Sequence, residues 1–363
     1  MKLKSTYTLS MMALSAVLAG CGSGGAGSGV GSVGGNAGSG GAVPGVQQAI
    51  QIFDVLKTIS GPSQAAGTPL VMNVAGPTYV KGSEDLFAFN KLNVERGACG
   101  FGLLSQNAQL DVSARGHSDY QIINNTLSHD QNRSQFPNGF TGNTSRDRAS
   151  AAGYSDAGDV GDNFTMQLGS SKKATFGDRG MRELLNAPYH VASLLAGYKD
   201  VGIAVRSSAE TTPAGVNPAV VLQVATAFKN SAGKQLMATG DVATYPCAGT
   251  TNVNRKLNDE LPNPVPGRNL KTDPIGSTIY IAVRDGQSLS ITSATMVETA
   301  SKMSIKLRTP ITRSNDPNNM YKSHEGYVAP DAPLKAFTQH SVDIRGTNNG
   351  TAFVRQFTFT TGS

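Results

Sequence analysis

Leu86, Phe89, Asn90 and Asn93 fall at helical spacing, and the pattern predicts a helix from about Ser83 to near Gly97. A second helix is predicted over 107–125. There Leu110, Ala114, His117 and Gln121 form one stripe and Asn107 is a suitable N-cap. Residues 181–195 repeat helical spacing, with Pro188 as an interruption. Residues 201–206 and 220–228 are rich in β-branched side chains and read as strands. Helices interleaved with strands imply an α/β or α+β layered domain, assigned to residues 83–249. Residues 250–274 carry many Pro, Asn and Gly residues and read as a linker. Further strands are predicted near 278–283, 288–296, 301–307, 340–345 and 352–360. Turns such as Arg284-Asp285-Gly286-Gln287 and Asn348-Asn349-Gly350 separate them. This texture predicts an all-β sandwich over 275–363.

The beginning of the chain has another pattern. Lys2 and Lys4 precede an apolar run over residues 9–18, and Leu18-Ala19-Gly20-Cys21 follows. Charge, a short apolar run and small residues make the layout of a secretory signal, here residues 1–20. The run is shorter than the roughly 20 apolar residues a membrane span needs. Leu-Ala-Gly-Cys resembles the lipobox of bacterial lipoproteins. That resemblance implies cleavage before Cys21, acylation of Cys21, and membrane attachment by more than one acyl chain. Gly22 stands where an aspartate would indicate retention at the inner membrane, so the outer membrane is the expected location. Residues 21–46 are mostly Gly, Ser, Ala and Val beyond the cysteine, and read as a flexible tether with a mean span of roughly 25–30 Å. Residues 47–82 read as a linker holding a short helix, with Ile50, Phe53 and Leu56 at near-helical spacing.

Composition changes this picture in two respects. The formal charge is +6, and removal of Lys2 and Lys4 leaves 29 basic against 25 acidic residues. That excess is mild and scattered, so no nucleic-acid partner is expected. The chain has three cysteines. With Cys21 acylated, Cys99 and Cys247 remain. In an oxidising compartment such a pair reads as one disulfide, and the alternative is two buried thiols.

A series of short motifs runs from Asn93 to Phe228. It comprises Asn93-x-x-Arg96, then Asn107-x-x-Leu110-x-x-x-Ala114-x-x-His117-Ser118, then Leu127-Ser128-His129. Arg148-x-x-x-x-Gly153-Tyr154, Gly161-Asp162-Asn163, residues Leu184 to His190, and Asp200-Val201-Gly202-Ile203-Ala204 follow. In this order the series resembles the CAP family, also called SCP-like or cysteine-rich secretory. The resemblance implies an α-β-α sandwich with a central cleft. It also implies a cleft tetrad of two histidines and two acids. His129 and His190 match the histidines, Asp162 stands in place of one glutamate, and Ala187 occupies the position of the second. Leu334-x-x-x-Thr338-x-His340-x-Val342 and Phe357-Thr358-Phe359-Thr360-Thr361 resemble bacterial Ig-like modules, with His340 where a tyrosine makes a corner hydrogen bond.

The chemistry these residues allow is limited. His129, Asp162 and His190 could hold a divalent metal such as zinc, since three protein ligands and a water form an open zinc site. Hydrolysis also needs a group that moves protons. Ala187 cannot do so, and Glu183 lies one helical turn away. Asp156, Asp159 and Asp162 recur in a glycine-containing loop but lack the calcium-loop pattern. His117 is expected to be a helix-surface or hydrogen-bonded residue and not a ligand, and His324 has no assigned role. No nucleophile elbow, phosphate loop or His-Glu-x-x-His motif is present. The expected function is a membrane-anchored binding or structural envelope protein, with an unknown cleft ligand or envelope partner. The alternative is a metal-dependent hydrolase acting on a peptide or cell-wall component.

Overall fold

The computed structural model describes residues 67–210 and 216–363. The expected signal peptide, Cys21, the tether and the helix within 47–58 lie outside the described residues. No helix among those described is long and apolar enough to cross a membrane.

Five helices form among the described residues. Helix α1 (Glu84–Cys99) starts where the Ser83 hydroxyl accepts from the Leu86 N–H, and Glu84 and Asp85 suit its N-terminal dipole. It runs two residues past Gly97 and stops at Gly100, whose φ of 82° only glycine adopts cheaply. Helix α2 (Ala108–Asn124) is capped by Asn107, and its predicted stripe of Leu110, Ala114, His117 and Gln121 is buried. Helix α3 (Ser145–Ala151) was not legible in the pattern. Thr144 and Asp147 form a reciprocal capping box at its start. The third predicted helical region divides into α4 (Phe176–Asn186) and α5 (Pro188–Leu195). Ala187 takes an extended ψ of 120° because the residue before proline is driven out of the helical region.

The first strands are β1 (Thr68–Pro69), β2 (Ser105–Gln106), β3 (Ala157–Leu168), β4 (Asp200–Ser207), β5 (Ala219–Lys229) and β6 (Gln235–Leu236). One sheet has the order β2-β4-β5-β3, so β3 is an edge. On one face Val201, Ile203, Val205, Leu222 and Val224 pack with Phe89 and Leu92 of α1, Leu184 of α4 and Val191 of α5. On the other, Ala204, Ala225 and Ala227 pack with Leu110 and Ala114 of α2 and Ala149 of α3. Small side chains on this second face let α2 approach closely. A Cβ at Gly202 would run into the backbone of Leu110 and Asp111. The result is the expected α-β-α sandwich.

The remaining strands are β7 (Val242–Tyr245), β8 (Lys256–Leu257), β9 (Ile275–Gly276), β10 (Ile279–Val283), β11 (Leu289–Glu298), β12 (Ile311–Thr312), β13 (Glu325–Val328), β14 (Gln339–Asn348) and β15 (Thr351–Thr360). They form a four-stranded sheet, β12-β13-β10-β7, and a three-stranded sheet, β11-β14-β15. No strand forms over 301–307. Only isolated bridges occur there, Ser304 to Val297 and Leu307 to Pro330. The β14–β15 hairpin turns at Asn349-Gly350, both at positive φ, as a two-residue loop demands.

Burial separates the two sheets. Strand β14 alternates: His340, Val342 and Ile344 are buried and the residues between them reach outward. Strand β10 is buried on both faces. Its Ile279, Ile281 and Val283 meet Val342, Ile344 and Phe359. Its Tyr280 and Ala282 join the core that also holds α1, α4 and α5. Each such aliphatic side chain contributes roughly 1.5–3 kcal/mol by its burial. Within 250–274, Val253, Leu257, Glu260, Val265 and Leu270 are buried. Cys99 at the end of α1 and Cys247 after β7 form the expected disulfide, with Cα atoms 5.4 Å apart.

Candidate functional site

Two motif residues are structural. The Asn93 side chain both donates to and accepts from the backbone of Leu104. Arg96 is fully buried and donates to the carbonyls of Phe101, Gly102, Leu194 and Ala196. Burial pulls its guanidinium down to about 9 from its ordinary value. These bonds fix the turn after α1 against the end of α5.

The residues expected to line a cleft meet around the β3 edge. Successive β3 residues point to opposite faces. Asn163 donates to Ser193 on α5, and Thr165 to Glu183 on α4. Asp162 instead reaches the α2–α3 side. Its Oδ1 accepts from Arg148 at 3.0 Å and from Gln223 at 2.6 Å, and its Oδ2 accepts from His129 Nδ1 at 2.8 Å. Burial opposes ionisation of Asp162, yet the Arg148 charge and the His129 bond outweigh it and hold the carboxyl far below its usual range. Gly161 precedes it because a Cβ there would press on Thr226 and the Tyr198 hydroxyl.

The loop carrying His129 is fixed from beneath. His117 Nε2 donates to the Ser128 carbonyl at 2.9 Å, and Gln131 Nε2 donates to His117 Nδ1 at 3.1 Å. Gln131 Oε1 accepts from the Thr141 N–H. Burial lowers the His117 pKa to about 4, so its ring is neutral at physiological pH. Its expected hydrogen-bonding role is met, as a fully buried support rather than a surface group.

His190 arrives on α5. Its ring centroid lies 6.4 Å from that of His129, which is 4.7 Å from Phe164. Its Nδ1 bonds to Glu260 Oε1 at 3.0 Å, and the Glu260 side chain is wholly buried. Glu260 lies in the segment read as a linker, and sequence reasoning missed it. A signal existed: the Cys99–Cys247 pairing returns the chain to the end of α1 just before it. The Arg148 motif was visible but not its ion pair, and Gln223 had no signal in a strand of apolar residues.

The donor set does not fit a three-ligand zinc site. His129 and Asp162 bond to each other, and both Asp162 oxygens are engaged by protein donors. No group of three His, Cys, Asp or Glu side chains able to hold a metal ion occurs among the described residues. Asp156 and Asp159 diverge from Asp162. Asp156 accepts from the Ser231 N–H and Asp159 from the Tyr198 hydroxyl. Glu183 is exposed. His340 is buried against Phe359, and neither ring nitrogen makes a hydrogen bond among the described residues. The corner hydrogen bond that a tyrosine makes at this position is therefore not made by His340.

Residues 89–221 match the family model for the cysteine-rich secretory protein family, CAP. The chain contains a CAP domain. Among solved structures, it is similar to an outer surface protein from Borrelia burgdorferi, at 12% identity and a TM-score of 0.32, over 43% of this chain and 99% of that one. It is also similar to an extracellular protein containing an SCP domain from Bacillus anthracis str. Ames, at 20% identity and a TM-score of 0.29. That match spans 41% of this chain and 44% of the other. None of the curated proteins compared with the chain matches it. Around the CAP domain, the residues before Phe89 and the C-terminal β-rich region extend the body beyond the matched segment.

Proposed function

We propose that this chain is a lipid-anchored, extracytoplasmic CAP-domain protein that binds a ligand or envelope partner in the cleft between His129 and His190. The bonding of Asp162 carries this reading. A carboxylate that accepts from Arg148 and Gln223 on one oxygen and from His129 on the other is committed to orienting an imidazole. Two histidines alone fall short of the three ligands of a catalytic zinc site. The hydrolase reading therefore lacks its third ligand. The location rests on Lys2, Lys4, the apolar run and Leu18-Ala19-Gly20-Cys21, with attachment through acylated Cys21. The Cys99–Cys247 bridge suits an oxidising compartment. Gly22 favours the outer membrane.

The test is the metal content and zinc affinity of the full chain, compared with a variant carrying His129→Ala and His190→Ala. The expected outcome is no stoichiometric metal and no tight zinc binding in either. Stoichiometric zinc that the double variant loses would overturn the binding reading in favour of the hydrolase. Attachment is tested by metabolic labelling with palmitate, which Cys21→Ser should abolish.

A further inference from the structure

Helix α5 starts without a cap of its own. Ala187 offers no side-chain acceptor, so the first N–H groups of the helix need one from elsewhere. Glu260 supplies it from 71 residues away: its Oε1 accepts from the Tyr189 N–H at 3.2 Å and from His190 Nδ1 at 3.0 Å. Its Oε2 makes no hydrogen bond among the described residues. The C-terminal region surrounds the same helix start. Tyr321 donates from its hydroxyl to the Pro188 carbonyl at 2.8 Å, and the Tyr189 hydroxyl donates to Asp316 at 2.6 Å.

We infer that Glu260 is a positioning residue of the cleft, supplied by the chain beyond the CAP match, which fixes His190 with its proton on Nδ1 and its Nε2 as an acceptor. This inference rests on the binding reading of the cleft and specifies its ligand chemistry. A carboxylate can only accept, so the shared proton belongs to Nδ1. The acceptor Nε2 then recognises a ligand that brings a hydrogen-bond donor, an ammonium or a hydroxyl, to the α5 side of the cleft. A role as a helix cap alone would need the Tyr189 N–H bond but would leave the His190 tautomer indifferent.

The chain has five histidines, so selective nitrogen-15 labelling of histidine rings resolves each one. The full chain is treated with a chelator, and the ring nitrogens are read at pH 7.5. In the wild type, His190 should show a protonated Nδ1 and an unprotonated Nε2. Glu260→Leu should shift the His190 tautomer ratio by roughly tenfold or more, the scale of a charge-assisted hydrogen bond. His129 should not change. Glu260→Gln, which keeps an acceptor oxygen, should largely retain the wild-type tautomer. An Nε2-protonated His190 in the wild type would overturn the inference without recourse to any variant. An unchanged tautomer in folded Glu260→Leu would do the same. Because metal is removed first, zinc found in the untreated chain would count against the binding reading and leave this result standing.

Discussion

His129 takes its carboxylate from β3, 33 residues along the same layered domain, whereas His190 takes its own from Glu260, 70 residues on and past the disulfide. Around Asp162 the partners are side chains: Arg148, Gln223 and His129, with His117 nearby at 4.0 Å. Around Glu260 they are the start of a helix and one ring, enclosed by the C-terminal region. The first half of the site is a charge network internal to the CAP domain. The second depends on how a later part of the chain docks. Equivalent histidine–carboxylate pairs can therefore be built at different levels of structure, and they should fail under different perturbations.

Removal of the disulfide is the largest test of the docked half. The bridge spans 148 residues, for which loop-closure entropy gives about 5 kcal/mol. Replacing Cys99 and Cys247 by Ala should cost about that much in denaturant unfolding. It should also move the ring signals of His190 more than those of His129. A loss below about 1 kcal/mol, or equal movement of both rings, would break the comparison. Asp162→Ala is the matching test of the internal half. Arg148 is almost wholly buried, with 1% of its side chain exposed. Stripped of its partner, a buried charge of this kind costs about 3–5 kcal/mol. The same unfolding measurement should show it, with His129 released and the His190 pair intact.

The same division governs what could be read in advance. The α2 stripe, the α5 proline and strands β4 and β5 follow from periodicity and local sterics, which act over a few residues. Strand β3 was hidden because it is an edge whose residues are partly buried without alternation. Strand β10 was visible as an apolar run, but its second buried face was not, because that face is made by contact with α1, α4 and α5. His129, Asp162 and His190 stood in motifs of the CAP resemblance. Glu260 stood among prolines and asparagines with no periodicity, and only the closing of a long loop brings it to His190. The reading of residues 250–274 as a linker rested on their composition, which does not report the burial of Val253, Leu257, Val265 and Leu270.

Acid should loosen the internal half. The His117 pKa is about 4 in the fold, below the ordinary 6.5 of an exposed imidazole. A depressed histidine binds its proton more readily when unfolded. Its contribution is therefore complete above about pH 6.5 and is lost as pH falls towards 4. The shift corresponds to about 3 kcal/mol. Denaturant unfolding at pH 7 and pH 4.5 should reveal most of this loss. His117→Gln, which carries no proton-binding ring, should flatten the profile across that window. The burial of His340 acts in the same direction, so a variant that retained the full slope would place the acid response in the C-terminal sheet instead.

The smallest effect concerns the helix that delivers Arg148. Helix α3 has only seven residues, too short to be stable by propensity, so its start must be secured by its cap. The Thr144 hydroxyl accepts from the Asp147 N–H at 3.2 Å, and the Asp147 carboxylate accepts from the Thr144 N–H at 3.0 Å. Arg148 follows immediately and points its guanidinium to Asp162. Thr144→Ala should cost about 1 kcal/mol, the usual value of a lost N-cap. Frayed at that end, α3 would hold Arg148 less firmly, and the His129 ring signals should broaden while those of His190 stay sharp. Equal broadening of both would mean that the two pairs share one support. The internal half would then depend on the docked half, contrary to the separation drawn from their hydrogen bonds.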